Sequence, residues 1–219
     1  MKKETKRNLM LAVGLLLSFV LWTVAISFVD VQVAGPRGSS VGFATINRFV
    51  HNVTGVNMPL YVVTDWLGLV PVAFGFGFAI LGLVQWIKRK NILKVDFDIL
   101  VLGGFYILVL CAYLLFEEVV INYRPVLIEG YLEVSYPSST TLLVMTVMPT
   151  AIMQLYVRIK NSRFRRCVTV TLTAFTAFMV MGRLLCGVHW FTDIVGGALL
   201  SASLVMMYYS VVGLSVGNK

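Results

Sequence analysis

Charge is scarce in this chain. Only 13% of its 219 residues are charged, whereas 58% are hydrophobic. A soluble domain carries about 25% charged and about 45–50% apolar residues, so this balance excludes a soluble globular enzyme and points to a chain solvated by lipid. Cysteine is equally sparse. Cys111, Cys167 and Cys186 lack paired spacing, which argues against a disulfide framework or a thiolate metal site. The loops hold no compact carboxylate or His/Cys cluster, so no metal and no other cofactor is implied. The apolar runs do not alternate, which excludes a closed barrel. Internal repeats and low-complexity tracts are missing too. A net charge of +8 would favour nucleic acid if the basic residues shared a face with aromatic readers, but they lie in short clusters between apolar runs.

What is present is a series of six uncharged stretches: Leu9 to Phe28, Leu67 to Ile87, Ile99 to Phe116, Pro137 to Val157, Cys167 to Gly182 and Ile194 to Val212. Each approaches the roughly 20 residues that cross about 30 Å of hydrocarbon as a helix, the fifth by borrowing flanking residues. The expected fold is therefore an all-α integral membrane protein, a six-helix bundle forming one domain over residues 1–219. The basic start is followed by an apolar run longer than a signal peptide's, with no clean cleavage site, which predicts an uncleaved first span.

Orientation follows from the basic residues. Lys2, Lys3, Lys6 and Arg7 precede the first span; Lys88, Arg89, Lys90 and Lys94 follow the second; Arg158, Lys160, Arg163, Arg165 and Arg166 follow the fourth; Lys219 ends the chain. Only Arg37, Arg48, Arg124 and Arg183 remain for the other side. The positive-inside rule then places both termini in the cytoplasm of a multi-pass cell-membrane protein. Asp30 to Asp65 is the one long connection. Within it Phe43, Ile46, Val50 and Val53 recur at helical spacing, predicting a short helix in the outer interface. Gly196, Gly197 and Ser201 suit close helix packing.

The unusual polar residues gather at the outer ends of spans three to six. The third span leads into Asn122-Tyr123-Arg124-Pro125, where proline is expected to end the helix and leave Arg124 at the outer surface. The fourth opens with Tyr136-Pro137-Ser138-Ser139-Thr140-Thr141, a capped helix start whose free N–H groups and hydroxyls suit an anion. The fifth and sixth meet at a segment holding Arg183, His189 and Asp193. If the sixth helix begins near His189, Asp193 shares its face and orients the imidazole, leaving one ring nitrogen free to attack. Arg124 and Arg183 supply fork-like donors to phosphate oxygens, and Ser138 and Ser139 add hydroxyl or backbone donors. Together these parts describe a phosphate site whose reaction is phosphoryl transfer through a phosphohistidine, followed by attack of water.

At these residues the chain resembles the type-2 phosphatidic acid phosphatase superfamily of membrane-embedded, metal-independent lipid phosphatases. That family's pattern is Lys, six residues, Arg-Pro; then Pro-Ser-Gly-His; then Ser-Arg, five residues, His, three residues, Asp. Arg124-Pro125, Pro137-Ser138-Ser139-Thr140, and Arg183, His189 and Asp193 match its parts. The resemblance implies His189 as nucleophile, Asp193 as its orienting partner, and Arg124, Arg183, Ser138 and the Ser139 backbone as phosphate cradle. It also implies a membrane lipid substrate, which the distribution of basic residues would place at the outer face. Three positions depart: Glu117 stands at the lysine, Gly182 at the serine before Arg183, and Thr140 at the histidine that serves as general acid.

A threonine cannot replace a histidine acid near neutral pH, and that favours a substrate whose leaving group needs little protonation. A lipid phosphate leaving from a diphosphate, with a second pKa of about 6, suits this better than the alkoxide leaving from phosphatidate. A polyprenyl diphosphate is the expected substrate, for instance the undecaprenyl diphosphate recycled in cell-wall synthesis. His51, Glu129 and Glu133 are alternative acids on the same side. The rival reading is a non-catalytic lipid-binding or scaffolding descendant of the fold. A small transporter ranks last, because ionisable groups stop at the membrane edges. Nothing in the sequence indicates oligomeric state.

Overall fold

The structure is a computed structural model describing residues 3–216; Lys2 and Lys219 lie outside the described residues. The chain runs through α1 (Lys3–Phe28), a two-residue hairpin of β1 (Gln32–Val33) and β2 (Ser40–Val41), α2 (Ala44–Thr54), α3 (Met58–Leu67), α4 (Leu69–Arg89), α5 (Phe97–Glu118), α6 (Ser139–Arg158), α7 (Ser162–Leu185) and α8 (Phe191–Val216). Among the described residues six helical spans are long and apolar enough to cross a membrane, with α3 and α4 joined at Gly68 into one span, Met58–Arg89. Large apolar side chains such as Leu21, Phe76, Leu115 and Val170 stay exposed on the bundle, as lipid-facing positions do.

Span boundaries differ from the hydropathy runs in ways that matter for the site. The connection predicted over Asp30 to Asp65 already contains α3. Its start at Met58 is set by Asn57, whose side chain accepts from Leu60 N at 2.9 Å, with Pro59 in the first turn. The third span stops at Glu118 rather than running to Arg124. After it comes an irregular hairpin in which Tyr123 bridges Val134 and Ile128 bridges Tyr131. The predicted short helix in the first long connection is α2. Phe43 precedes it in a left-handed conformation, and its face toward the bundle carries Ala44 and Asn47, while Ile46 and Val53 are exposed.

α6 and α8 form the centre of the bundle, and their polar residues are satisfied locally. Thr146 and Thr150 donate back to Leu142 O at 2.7 Å and Thr146 O at 2.9 Å, and Ser201 donates to Gly197 O at 2.6 Å. α1 lies along α8, with Ser203 Oγ donating to Ala12 O at 2.9 Å and Trp22 Nε1 to Thr192 O at 3.2 Å. The two glycines predicted to permit close packing do so against the start of α6. A Cβ on Gly196 would come within 2.4 Å of the Tyr136 ring, and one on Gly197 within 3.1 Å of Ser138 O.

At the end of the bundle away from His189, Arg158 pairs with Asp98 at 3.0 Å and Arg89 with Asp96 at 2.8 Å, joining α4, α5 and α6. At the site end, the α7–α8 turn docks on the α2–α3 turn. Gly187 makes that possible: it has φ +67°, and an added Cβ would lie 1.8 Å from Gly55 O. Gly187→Ala is expected to cost about 2–4 kcal/mol and to lower the unfolding temperature of the detergent-solubilised protein. Gly104→Ala, with open space around it, should leave that temperature unchanged or slightly raised.

Candidate active site

The site is assembled around the turn between α7 and α8. α8 begins at Phe191, so His189 stands in the turn before the helix rather than on its face, a correction to the expected shared helical face. Asp193, in the first turn of α8, is fully buried and holds that turn. Its carboxylate accepts from Trp190 N at 2.9 Å and from Asn122 Nδ2 at 3.2 Å, and its carbonyl accepts from Ser138 N at 3.1 Å. Asn47 braces the same turn from α2, accepting from Thr192 N at 3.1 Å and donating to Thr192 Oγ1 at 3.0 Å. Trp190 Nε1 donates to Tyr123 O at 2.8 Å, tying the turn to the hairpin.

His189 is 4% exposed. Its Nδ1 lies 3.8 Å from Asp193 Oδ2, longer than a hydrogen bond, and its Nε2 lies 3.4 Å from Arg124 Nη1. A guanidinium offers only donors, so Nε2 facing Arg124 carries the lone pair and the ring proton sits on Nδ1, toward the carboxylate. Burial pushes the His189 pKa down to about 4, with the Arg124 and Arg183 charges adding to the fall and Asp193 opposing it. The ring is therefore neutral at pH 7, with Nε2 available as a nucleophile.

Both arginines are withdrawn from solvent. Arg124 was expected at the outer surface, but the hairpin folds it inward to 8% exposure because Arg124 N donates to Glu133 O at 3.0 Å. Glu133 Oε2 also stands 3.0 Å from Arg124 Nε. Arg183 is 1% exposed, donates to Thr64 Oγ1 at 3.3 Å and lies 3.6 Å from Asp65 Oδ1. The Tyr61 ring is shared between them, with guanidinium carbons 5.9 Å (Arg124) and 5.0 Å (Arg183) from its centroid. Arg124 Nε, Arg183 Nε and His189 Nδ1 are buried and donate no hydrogen bond. The two idle guanidinium donors suit an anion, while the Nδ1 side of the ring faces Asp193.

A cavity of about 30 Å³ opens here, lined by Arg124 and His189 with Glu117, Ser139, Tyr136 and Tyr113. That is room for a water or two. Ser138 lies outside it, because its hydroxyl caps α6 and accepts from Thr141 Oγ1 at 3.0 Å. Thr140 instead lines a second, apolar cavity of about 1080 Å³ between α4, α5 and α6, which shares Tyr113, Ser139 and Leu142 with the first. Among the auxiliary acids, Glu133 reaches Arg124, whereas Glu129 is exposed at the hairpin tip. His51 is half-buried against Trp190, ring centroids 5.6 Å apart, and burial lowers its pKa.

The residues that sequence reasoning passed over are Tyr61, Thr64 and Asp65 on α3, together with Asn47 and the bracing role of Asn122. The signal that could have found α3 was Asn57 before Met58-Pro59, a capping residue followed by proline in the first turn. α3 also accounts for Gly182, since a Cβ there would come within 2.7 Å of Thr64 Cγ2. Thr64 places its own hydroxyl on Arg183 instead.

Residues 117–216 match the family model described as the PAP2 superfamily. Over that stretch, a little under half of the chain, the sequence is similar to that superfamily. The matched region contains Arg124, Ser139, Arg183, His189 and Asp193, while Tyr61, Thr64 and Asp65 lie before it. Among solved structures the chain is similar to the first transmembrane PAP2 type phosphatidylglycerolphosphate phosphatase from Bacillus subtilis. Identity is 18%, the TM-score is 0.57, and the match covers 95% of this chain and 97% of that one, so what the likeness shows is the fold. No curated protein matches the sequence significantly. The family match, together with the shared membrane fold, supports a phosphatase-class hydrolase acting on lipid phosphates in general.

The geometry fixes the signs of two perturbations. Arg124→Gln removes a positive neighbour and should raise the His189 pKa from about 4, whereas Asp193→Asn removes the opposing carboxylate and should lower it further. Ring-proton NMR in detergent can follow both, because the chain has only two histidines.

Proposed function

We propose that the protein hydrolyses a lipid phosphate, with a polyprenyl diphosphate as preferred substrate, through a phosphohistidine intermediate and without a metal, at a site facing outside. The observation that carries this reading is the neutral His189 ring, with Nε2 turned to Arg124 and Nδ1 backed by Asp193. In the first step the Nε2 lone pair attacks phosphorus while the bond to the leaving oxygen breaks. The imidazole becomes cationic and Asp193 stabilises it. In the second step water attacks the phosphohistidine, releasing orthophosphate and restoring the neutral ring. Arg124 and Arg183 neutralise the charge on the phosphoryl oxygens.

Three further observations support the substrate and the side. The apolar cavity adjoining the phosphate pocket through Ser139 and Leu142 has the lining and size for a hydrocarbon tail. Thr140 offers no acid for the leaving group, which favours a leaving phosphate over an alkoxide. The site lies at the end of the bundle away from Arg89 and Arg158, and so away from the basic clusters that mark the cytoplasmic side. The rival, a non-catalytic lipid-binding protein, is favoured by one feature: Glu117, an acid, lines the phosphate pocket where the family pattern has a lysine.

Two measurements separate these readings. Wild-type protein should release orthophosphate from a lipid phosphate, and His189→Ala should reduce that by about a thousandfold or more, as loss of a nucleophile does. Equal rates for the two proteins would favour the non-catalytic reading. Side by side, a polyprenyl diphosphate should turn over at least about tenfold faster than phosphatidate, and the reverse order would remove the leaving-group argument.

A further inference from the structure

Two cationic side chains share the Tyr61 ring, and neither relies on the catalytic carboxylate. Burying adjacent guanidiniums without counter-charge is costly. Here the counter-charge comes from two carboxylates outside the catalytic pair: Glu133 beside Arg124 at 3.0 Å, and Asp65 beside Arg183 at 3.6 Å. Their burial differs sharply from that of Asp193. The Asp193 side chain is fully enclosed, whereas the Glu133 and Asp65 side chains remain 41% and 58% exposed.

The contacts are also imperfect. Arg124 Nε is close to Glu133 yet has no hydrogen bond directed to it, and Arg183 Nε has none either. These are charge contacts without the aligned, fork-like geometry that makes guanidinium pairs strong. A phosphate dianion between the arginines would satisfy the idle N–H groups that the carboxylates leave open. Glu133 can yield without loosening the hairpin, because the backbone pairing of Arg124 with Glu133, at 3.0 Å, does not depend on the side chain, and the Asp65 side chain, 58% exposed, is not enclosed by protein. Asp65 additionally borders the large apolar cavity, where a headgroup approaching along it would meet the exchange point.

We propose that Asp65 and Glu133 are resident counter-ions of the phosphate site. They hold the two arginines against Tyr61 when the site is empty, yield to phosphate on binding, and return to help expel orthophosphate. This rests on the phosphate-site reading of Arg124 and Arg183. Asp65 and Glu133 are positioning residues, and their signature is unusual: removing their charge tightens phosphate binding, whereas loss of a merely structural contact would weaken it.

The test is calorimetric titration of inorganic phosphate into the full-length protein in detergent, a readout independent of turnover. Asp65→Asn and Glu133→Gln are each expected to tighten binding about two- to fivefold, the range that partly exposed ion pairs support, and the double variant to tighten it further. Asp65→Glu and Glu133→Asp, which keep the charge, should bind phosphate as the wild type does. Arg183→Gln is the control for the site and should lose phosphate binding. If it binds as the wild type does, the phosphate-site reading falls. If it loses binding while Asp65→Asn and Glu133→Gln bind equally or more weakly than wild type, the counter-ion proposal alone is overturned.

Discussion

The arrangement depends on one buried carboxylate. Asp193 is enclosed by protein, and three separate segments converge on it: the turn holding His189 through Trp190 N, the hairpin through Asn122, and the start of α6 through Ser138 N. A buried carboxylate needs donors to be tolerated; Trp190 N and Asn122 Nδ2 serve the carboxylate, Ser138 N serves the backbone carbonyl of the same residue, and each belongs to a piece of the chain that carries a site residue. The constraint that stabilises Asp193 is therefore the one that brings His189, Arg124 and Ser139 to one place. Gly196 and Gly197 serve it by letting Tyr136 and Ser138 lie directly on α8.

Much of the bundle was legible because lipid imposes a simple rule. Backbone groups must be satisfied within each span, so an uncharged run of adequate length has one solution, and all six runs became helices. Boundaries were less legible, because polar residues at a span's end can extend a helix or leave it. α7 continues through the basic run at Arg163–Arg166, which hydropathy excludes, while α5 ends before Asn122, where the proline rule alone would carry it further. α3 was hidden because its charged and hydroxylic residues, Thr64 and Asp65, resemble loop composition. On the helix both reach Arg183 of α7.

The site was legible as a set of residue types at fixed spacing, and less so in its orientations. The spacing of Arg183, His189 and Asp193 suggested nearness, but whether Arg124 faced water or protein depended on the pairing of Arg124 N with Glu133 O, a contact no local pattern encodes. Likewise Ser138 and Ser139 are indistinguishable by type. Only the capping geometry of α6 decides that the Ser138 hydroxyl turns back to Thr141 and that Ser139 is the one of the two that lines the cavity. Departures from the family pattern have local causes in part: Gly182 is where Thr64 leaves no space for a side chain.

Electrostatics then explains why the site has so many partners for so few reacting groups. A nucleophilic imidazole must be neutral, and burial together with two arginines secures that, at a pKa of about 4. Those same arginines would be poorly tolerated in an empty, buried pocket, and one deeply enclosed carboxylate cannot balance both while also orienting the ring. Placing further negative charge on partly exposed side chains from α3 and the hairpin resolves the conflict. Burial, aided by the arginine charges, keeps the His189 ring unprotonated against the pull of Asp193, while the arginines are held ready for an anion that bonds to them with better geometry than a carboxylate does.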